Sequence, residues 1–326
     1  MARVYRGPPG MFSGGPAAVL CCFALLAASP PAFAQMPADP PAVDPNGVPA
    51  NDVLPPPQPP PATAPDSPSG GSDPWTWKVL PDGLIYHSYL AAPKEPRFAS
   101  QWLEDERAGS LWDITLGFRK ALLRHGTDEP DRPQGFEVDF EGAASPRLLP
   151  GQSYDLMSVD FRFGIPITYG IGAYQTKLEV YHISSHLGDQ FMIAHPAVDR
   201  IEYVWNGLGW GNSYYLTDNL RAYAEADWAY STDGGAKPLE FEFGVEYSPV
   251  CPANSLRVAP FFALNEELTQ STHYSGTFVA QGGYQWRGTS GHLARIGVEY
   301  FVGKSDQYQF FNRHEQKVGI GIWYDF

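Results

Sequence analysis

The residue types that could do chemistry converge on one stretch, Thr176-Lys177-Leu178-Glu179-Val180-Tyr181-His182-Ile183-Ser184-Ser185-His186. Its polarity has a period of two. Thr176, Leu178, Val180, His182, Ser184 and His186 share one face of a strand, and Lys177 and Glu179 take the other. An imidazole two positions from a hydroxyl pairs a general base with a nucleophile. Alternate residues of a strand are about 6.6 Å apart at Cα, near enough for their side chains to meet. The base needs a third group to orient it, and Asp199 has the parity for that. Pairing His186 with His195 in an antiparallel hairpin sets Ser184 against Ala197, His182 against Asp199, Val180 against Ile201 and Leu178 against Tyr203. The expected site is therefore Ser184 as nucleophile, His182 as base and Asp199 as orienter. Asp189, in the Gly188-Asp189 turn, is a candidate ligand for calcium. Zinc does not fit, because His182 and His186 on one strand stand about 13 Å apart. The plainer alternative makes His182, Ser184 and His186 rim residues that touch lipid headgroups.

Other signals are weaker. Gly207-Leu208-Gly209-Trp210-Gly211 reads as a hairpin bend between strands rather than a phosphate loop. Glu266-Glu267 reads as a solvated loop, and Cys251, between Val250 and Pro252, as an inert turn cysteine.

The elements that must carry these residues are strands. The 326-residue chain is 43% hydrophobic and 14% aromatic, which argues against full disorder, and its net charge of −14 argues against a nucleic-acid partner. From Ser110 onward apolar residues alternate with polar or small ones, as in Leu239-Glu240-Phe241-Glu242-Phe243-Gly244-Val245-Glu246-Tyr247. Eleven strands are expected, near 110–121, 134–143, 154–165, 171–186, 199–209, 216–231, 238–248, 255–267, 274–287, 292–303 and 315–326. Single-chain membrane barrels of bacteria take an even number, so twelve strands are expected, with Leu84–Leu90 as the candidate twelfth and ten strands as the alternative. A soluble sandwich would hide its apolar face, whereas a transmembrane barrel turns it to lipid. Strand lengths of about ten residues, aromatics at strand ends (Trp205, Trp210, Trp228, Trp286) and an alternating last strand ending in Phe326 favour an antiparallel transmembrane β-barrel. The residues left to face inward, among them Asp113, Glu137, Asp139, Asp160, Arg162, Arg221, Glu225, Glu240, Arg257, Arg295 and Glu299, mix acids with arginines. That mixture suits a plugged lumen rather than an open pore.

The first part of the chain is of another kind. Residues 1–34 read as a signal peptide: Arg3 and Arg6, an apolar run over Ala17–Ala28, and the small-x-small site Ala32-Phe33-Ala34. Residues 35–74 hold 14 of the 32 prolines and read as a disordered Pro-rich linker. Residues 75–109 are expected to be an N-terminal arm or plug, and 110–326 the barrel.

Two resemblances add to this reading. Tyr89-Leu90-Ala91-Ala92-Pro93-Lys94-Glu95-Pro96-Arg97, with Ser184-Ser185-His186-Leu187-Gly188-Asp189, resembles an uncharacterised bacterial domain-of-unknown-function family of exported outer-membrane barrel-like proteins, over about Pro74 to Phe326. It implies location and architecture but no activity. His182-x-Ser184 on an outward strand resembles the outer-membrane phospholipase A and lipid A deacylase barrels, in which the His is the base for the Ser nucleophile. The position those families use to orient the His is Pro196 here, so the carry-over is incomplete. The function expected is a structural or ligand-binding component of the outer membrane, and the alternative is a lipid ester hydrolase. The expected partners are outer-membrane lipid and, through the strand ending in Phe326, the barrel-assembly machinery.

Overall fold

A computed structural model describes residues 75–129, 131–249 and 258–326. The signal and linker segments, Cys251 and Arg257 lie outside the described residues. The strands are β1 (Thr76–Val79), β2 (Phe98–Asp105), β3 (Gly109–Gly126), β4 (Gly135–Leu149), β5 (Asp155–Ile171), β6 (Tyr174–Leu187), β7 (Val204–Thr217), β8 (Leu220–Asp233), β9 (Leu239–Tyr247), β10 (Ala259–Thr269), β11 (Gly276–Arg287), β12 (Leu293–Lys304) and β13 (His314–Asp325). A short helix, α1 (Asp189–Ala194), interrupts the β6–β7 connection. Each strand from β2 to β13 pairs antiparallel with its neighbour in sequence, and β13 returns to β2 with Val318 opposite Glu104 and Tyr324 opposite Phe98. The result is a closed twelve-stranded barrel, which leaves no free edge. β1 is additional and pairs with the far end of β3, Thr76 opposite Gly126.

The twelfth strand is Phe98–Asp105, not Leu84–Leu90. Leu84, Ile85, Tyr86, Tyr89 and Leu90 are all buried, and the segment between β1 and β2 runs inside the barrel. Its bulky apolar residues fill space there, while β2 alternates only modestly, with Phe98 and Trp102 outward and Ala99, Leu103 and Asp105 inward. The first barrel strand thus lies within the stretch expected to precede the barrel.

The polarity is that of a membrane-spanning barrel. Leu116, Phe136, Ile165, Leu178, Val180, Trp210, Val298 and Ile320 are exposed on the outside, while the inside holds buried Arg119, Arg124, Arg147, Arg221, Arg295 and Lys317. These cations meet carboxylates from other strands and connections. Arg147 takes Asp113, Asp306 and Glu315 at 2.7–2.8 Å, Arg124 takes Glu137 at 2.6 Å, and Arg295 takes Asp325 at 2.7 Å. Burial alone would push the Asp306 carboxyl up, but Lys317 and Arg147 beside it hold it well below the usual carboxylate range.

The same charged wall grips the backbone of the inserted segment. Arg221 donates to the carbonyls of His87 and Ser88, Arg295 donates to that of Leu90, and Glu137 accepts from the amide of Ile85. An irregular segment cannot satisfy its own peptide groups, so the wall must supply partners. The insert packs so closely that a Cβ on Gly211 would lie 2.8 Å from the hydroxyls of both Tyr86 and Tyr89. This explains the glycine-rich run. Gly207, Gly209 and Gly211 sit inside β7 on its lumenal face, with Leu208 and Trp210 between them pointing out, and they form no hairpin bend.

Candidate functional site

β6 presents Thr176, Leu178, Val180, His182, Ser184 and His186 outward, while Lys177, Glu179, Tyr181, Ile183 and Ser185 are buried inside. His182 and Ser184 therefore share the lipid-side face, near the end of the barrel away from Phe326. At that end β6 leads into residues 188–203, the longest connection between consecutive strands of the barrel wall, β2 to β13. Below them the outer face turns fully apolar, with Leu178, Val180, Ile165, Leu208 and Trp210.

The register beyond β6 differs from the expected one. His182 stands opposite Asn206, Val180 opposite Leu208 and Leu178 opposite Trp210. Asp199 lies in the connection before β7, exposed and not opposite His182. The reason is local. A hairpin pairing His186 with His195 was expected, but Asp189–Ala194 form a helix whose Phe191 is buried among Leu103, Leu111, Leu149, Met157, Leu187 and Phe310. Residues 195–203 are then used to cap the lumen. Tyr203 accepts from the amide of Ser185, and the amide of Ile201 donates to Gln309. Strand pairing on the outside starts only at Val204.

The residue that meets His182 is Asn206, with His182 Nδ1 2.7 Å from Asn206 Oδ1. A carboxamide oxygen only accepts, so Nδ1 carries the proton and donates. That tautomer leaves Nε2 with a free lone pair, which is the state a general base requires. The Phe163 ring lies 5.2 Å from the His182 ring and flanks it on the β5 side. A register shift in the β7–β8 pairing falls at this point: Asn206 pairs with Ser231 and Gly207 with Ala229, leaving Tyr230 as an extra residue. Such bulges bend a strand and re-aim its side chains.

Ser184 lies two residues beyond His182 on the same face, between Phe161 on β5 and Val204 on β7. It is half-buried, and its hydroxyl makes no hydrogen bond within the described residues. His186 is exposed, with its ring 5.9 Å from that of Phe161. Asp189 is exposed at the start of α1, and no group of three or more carboxylate, imidazole or thiol side chains among the described residues could hold a metal. Among the described residues the donor set that calcium needs is not assembled around Asp189.

Sequence reasoning missed Asn206. The signal was present: Asn206 is a polar residue bordering the apolar Leu208 and Trp210 on the outward face of β7, where the intervening lumenal positions are glycines.

Residues 75–326 match the family described as "Protein of unknown function (DUF1207)". No curated protein matches the chain. Among solved structures, the chain is similar to the outer membrane phospholipase A from Escherichia coli at 10% identity and a TM-score of 0.48, covering 72% of this chain and 91% of that one. It is similar to the Salmonella typhi outer membrane phospholipase dimer with bound calcium at 11% identity and a TM-score of 0.48, covering 74% and 94%. It is also similar to the KdgM porin at 9% identity and a TM-score of 0.40, covering 71% and 99%.

Proposed function

The chain belongs to the DUF1207 family, whose description assigns no activity, and from that premise we propose that it is an outer-membrane barrel that hydrolyses lipid esters at Ser184, His182 and Asn206. The apolar outer belt, the signal-like first 34 residues and the alternating last strand ending in Phe326 support the location. The longest connection between strands of the barrel wall lies at the end that carries the site, which suits the outward-facing leaflet.

One observation carries the activity. A His–Asn hydrogen bond of 2.7 Å sits on the lipid face, with a serine two residues along. Polar groups against hydrocarbon are costly, and less so at the rim, so their presence beside an apolar belt calls for a use. The chemistry balances in two steps. In the first, His182 Nε2 takes the Ser184 proton as Oγ attacks the ester carbonyl. Collapse releases the alcohol, which takes that proton from His182, and leaves an acyl-serine. In the second, His182 draws a proton from water as the hydroxide attacks the acyl carbon, and collapse releases the fatty acid while His182 returns that proton to Ser184 Oγ. Asn206 holds the tautomer throughout. A lipid ester reaches this face directly from the membrane.

A second reading, a structural or ligand-binding envelope component, has its own support. Ser184 makes no bond to His182, and the opposite rim also carries an outward polar pair, Tyr174 Oη donating to Asn212 Oδ1 at 2.7 Å. The filled lumen fits either reading. The discriminating experiment is fatty-acid release from mixed phospholipid and lipopolysaccharide micelles by detergent-refolded protein, with calcium and with chelator, beside Ser184→Ala. Release by the wild type that disappears in the variant is expected. No release from protein shown to be folded would leave the second reading.

A further inference from the structure

One part of the lumen lacks the pairing found elsewhere. The inward residues of β8, β9 and β10 place Glu225 directly opposite Glu242, and Glu242 directly opposite Glu267. Two residues away along the same strands, Asp227 stands opposite Glu240. Like charges directly opposite on paired strands are destabilising. Glu225 has Lys177 at 3.0 Å, and Asp227 accepts from Tyr181 Oη at 2.9 Å. The carboxylates of Glu240, Glu242 and Glu267 make no hydrogen bond or ion pair among the described residues. Glu266-Glu267, expected as a solvated loop, is part of β10 instead, and Glu267 faces this interior.

These carboxylates surround a cavity of about 50 Å³. Glu240 lines it while only 8% exposed. The cations that line the cavity are already engaged. Lys94 holds Asp160 at 2.7 Å, Arg162 holds Glu141 and Glu179 at 2.9 and 2.8 Å, and Lys177 reaches Glu179 at 3.3 Å. Negative charge is thus in excess in a space with room for water. A second small cavity bordered by Glu240, Glu267, Ser305 and Asp306 lies between it and the connections 270–275 and 305–313, which suggests an entry path.

We propose that this cavity binds a hydrated divalent cation of the magnesium type, held by Glu225, Asp227, Glu240, Glu242 and Glu267. The ion is held through its water shell, because no three such groups among the described residues converge on a bare metal. The first-shell waters of such an ion can bridge carboxylates that do not converge on one point. Magnesium parts with its waters reluctantly and suits such a site. The bound charge would relieve the opposed glutamates and tie β8, β9 and β10 together. This inference is independent of the hydrolase reading.

The test is thermal unfolding and titration calorimetry of the full-length refolded protein with magnesium chloride, against sodium chloride at matched ionic strength. A saturable upward shift of the wild-type melting temperature, with measurable heat of binding, is expected. Both should vanish in Glu240→Gln/Glu242→Gln, which should melt no lower than magnesium-free wild type. Glu267→Gln, with a weakened shift, serves if the double variant does not fold. An equal shift in the variants overturns the proposal. So does a magnesium-insensitive wild type, including one whose stability falls as pH rises, because protons would then neutralise the row.

Discussion

The lumen and the outer face near β6 use polar residues in opposite ways. Inside, Arg147 alone meets three carboxylates, and arginines on the wall satisfy the backbone of the inserted segment. There polarity has a structural purpose: remove one partner and another buried charge is stranded. Outside, the belt of Leu178, Val180, Ile165, Leu208 and Trp210 needs no polar group, yet His182, Ser184 and Asn206 stand at its edge. A polar group the fold requires should be costly to remove and chemically silent. One the fold does not require should be cheap to remove and matter to activity.

The contrast is sharpest at Arg147. Arg147→Ala leaves Asp113, Asp306 and Glu315 with Lys317 as the cation still beside them. The loss should be about 3–5 kcal/mol in denaturant unfolding of the refolded barrel, the usual cost of breaking a buried ion network. A smaller effect is expected from a charge on the apolar belt. Val180→Arg should cost about 2–4 kcal/mol, whereas Val180→Leu should be near neutral, because only the former sets a charge against hydrocarbon.

Next comes His87 in the inserted segment. Burial, then the Arg287 and Arg221 charges, lower its pKa to about 3, and its Nε2 lies 2.8 Å from the carbonyl of Asp131. A histidine whose folded pKa is depressed stays neutral when folded and takes a proton on unfolding. Its contribution is therefore complete above the unfolded value of about 6.5 and is lost as pH falls toward 3. Between pH 7 and pH 5 that amounts to at most about 2 kcal/mol, and His87→Gln should flatten this part of the stability profile.

The sequence made the alternation legible because a barrel wall has two environments and each strand must obey both. All eleven strands expected from Ser110 onward are present, and Asp113, Glu137, Arg221 and Glu299 face inward as their parity requires. His182 and Ser184 were placed on the outward face for the same reason. The twelfth strand was not legible, because β2 is short and weakly alternating while Leu84–Leu90 is the more apolar run. Neither was Asn206. A register is set across the whole connection, and α1 with its buried Phe191 takes up residues that a hairpin would have paired. Parity narrowed the partner of His182 to alternate residues, and only tertiary packing chose among them.

The smallest expected effect separates the two orienting candidates. Asn206→Ala should lower kcat/KM for a lipid ester about tenfold, or about 1.4 kcal/mol, by freeing the His182 tautomer, with little change in unfolding. Asp199→Ala should leave both unchanged. Equal rates for the two variants would return His182 to the role of a rim residue.

The most direct test of the central claim is covalent labelling of the folded barrel with a serine-reactive lipid-like fluorophosphonate, followed by mass analysis of the peptides. The account predicts an adduct on Ser184, absent in Ser184→Ala and strongly slowed in His182→Ala, because Oγ displaces fluoride only when His182 accepts its proton. A folded barrel that stays unlabelled at Ser184 would contradict the account and leave His182, Ser184 and Asn206 as residues of the rim.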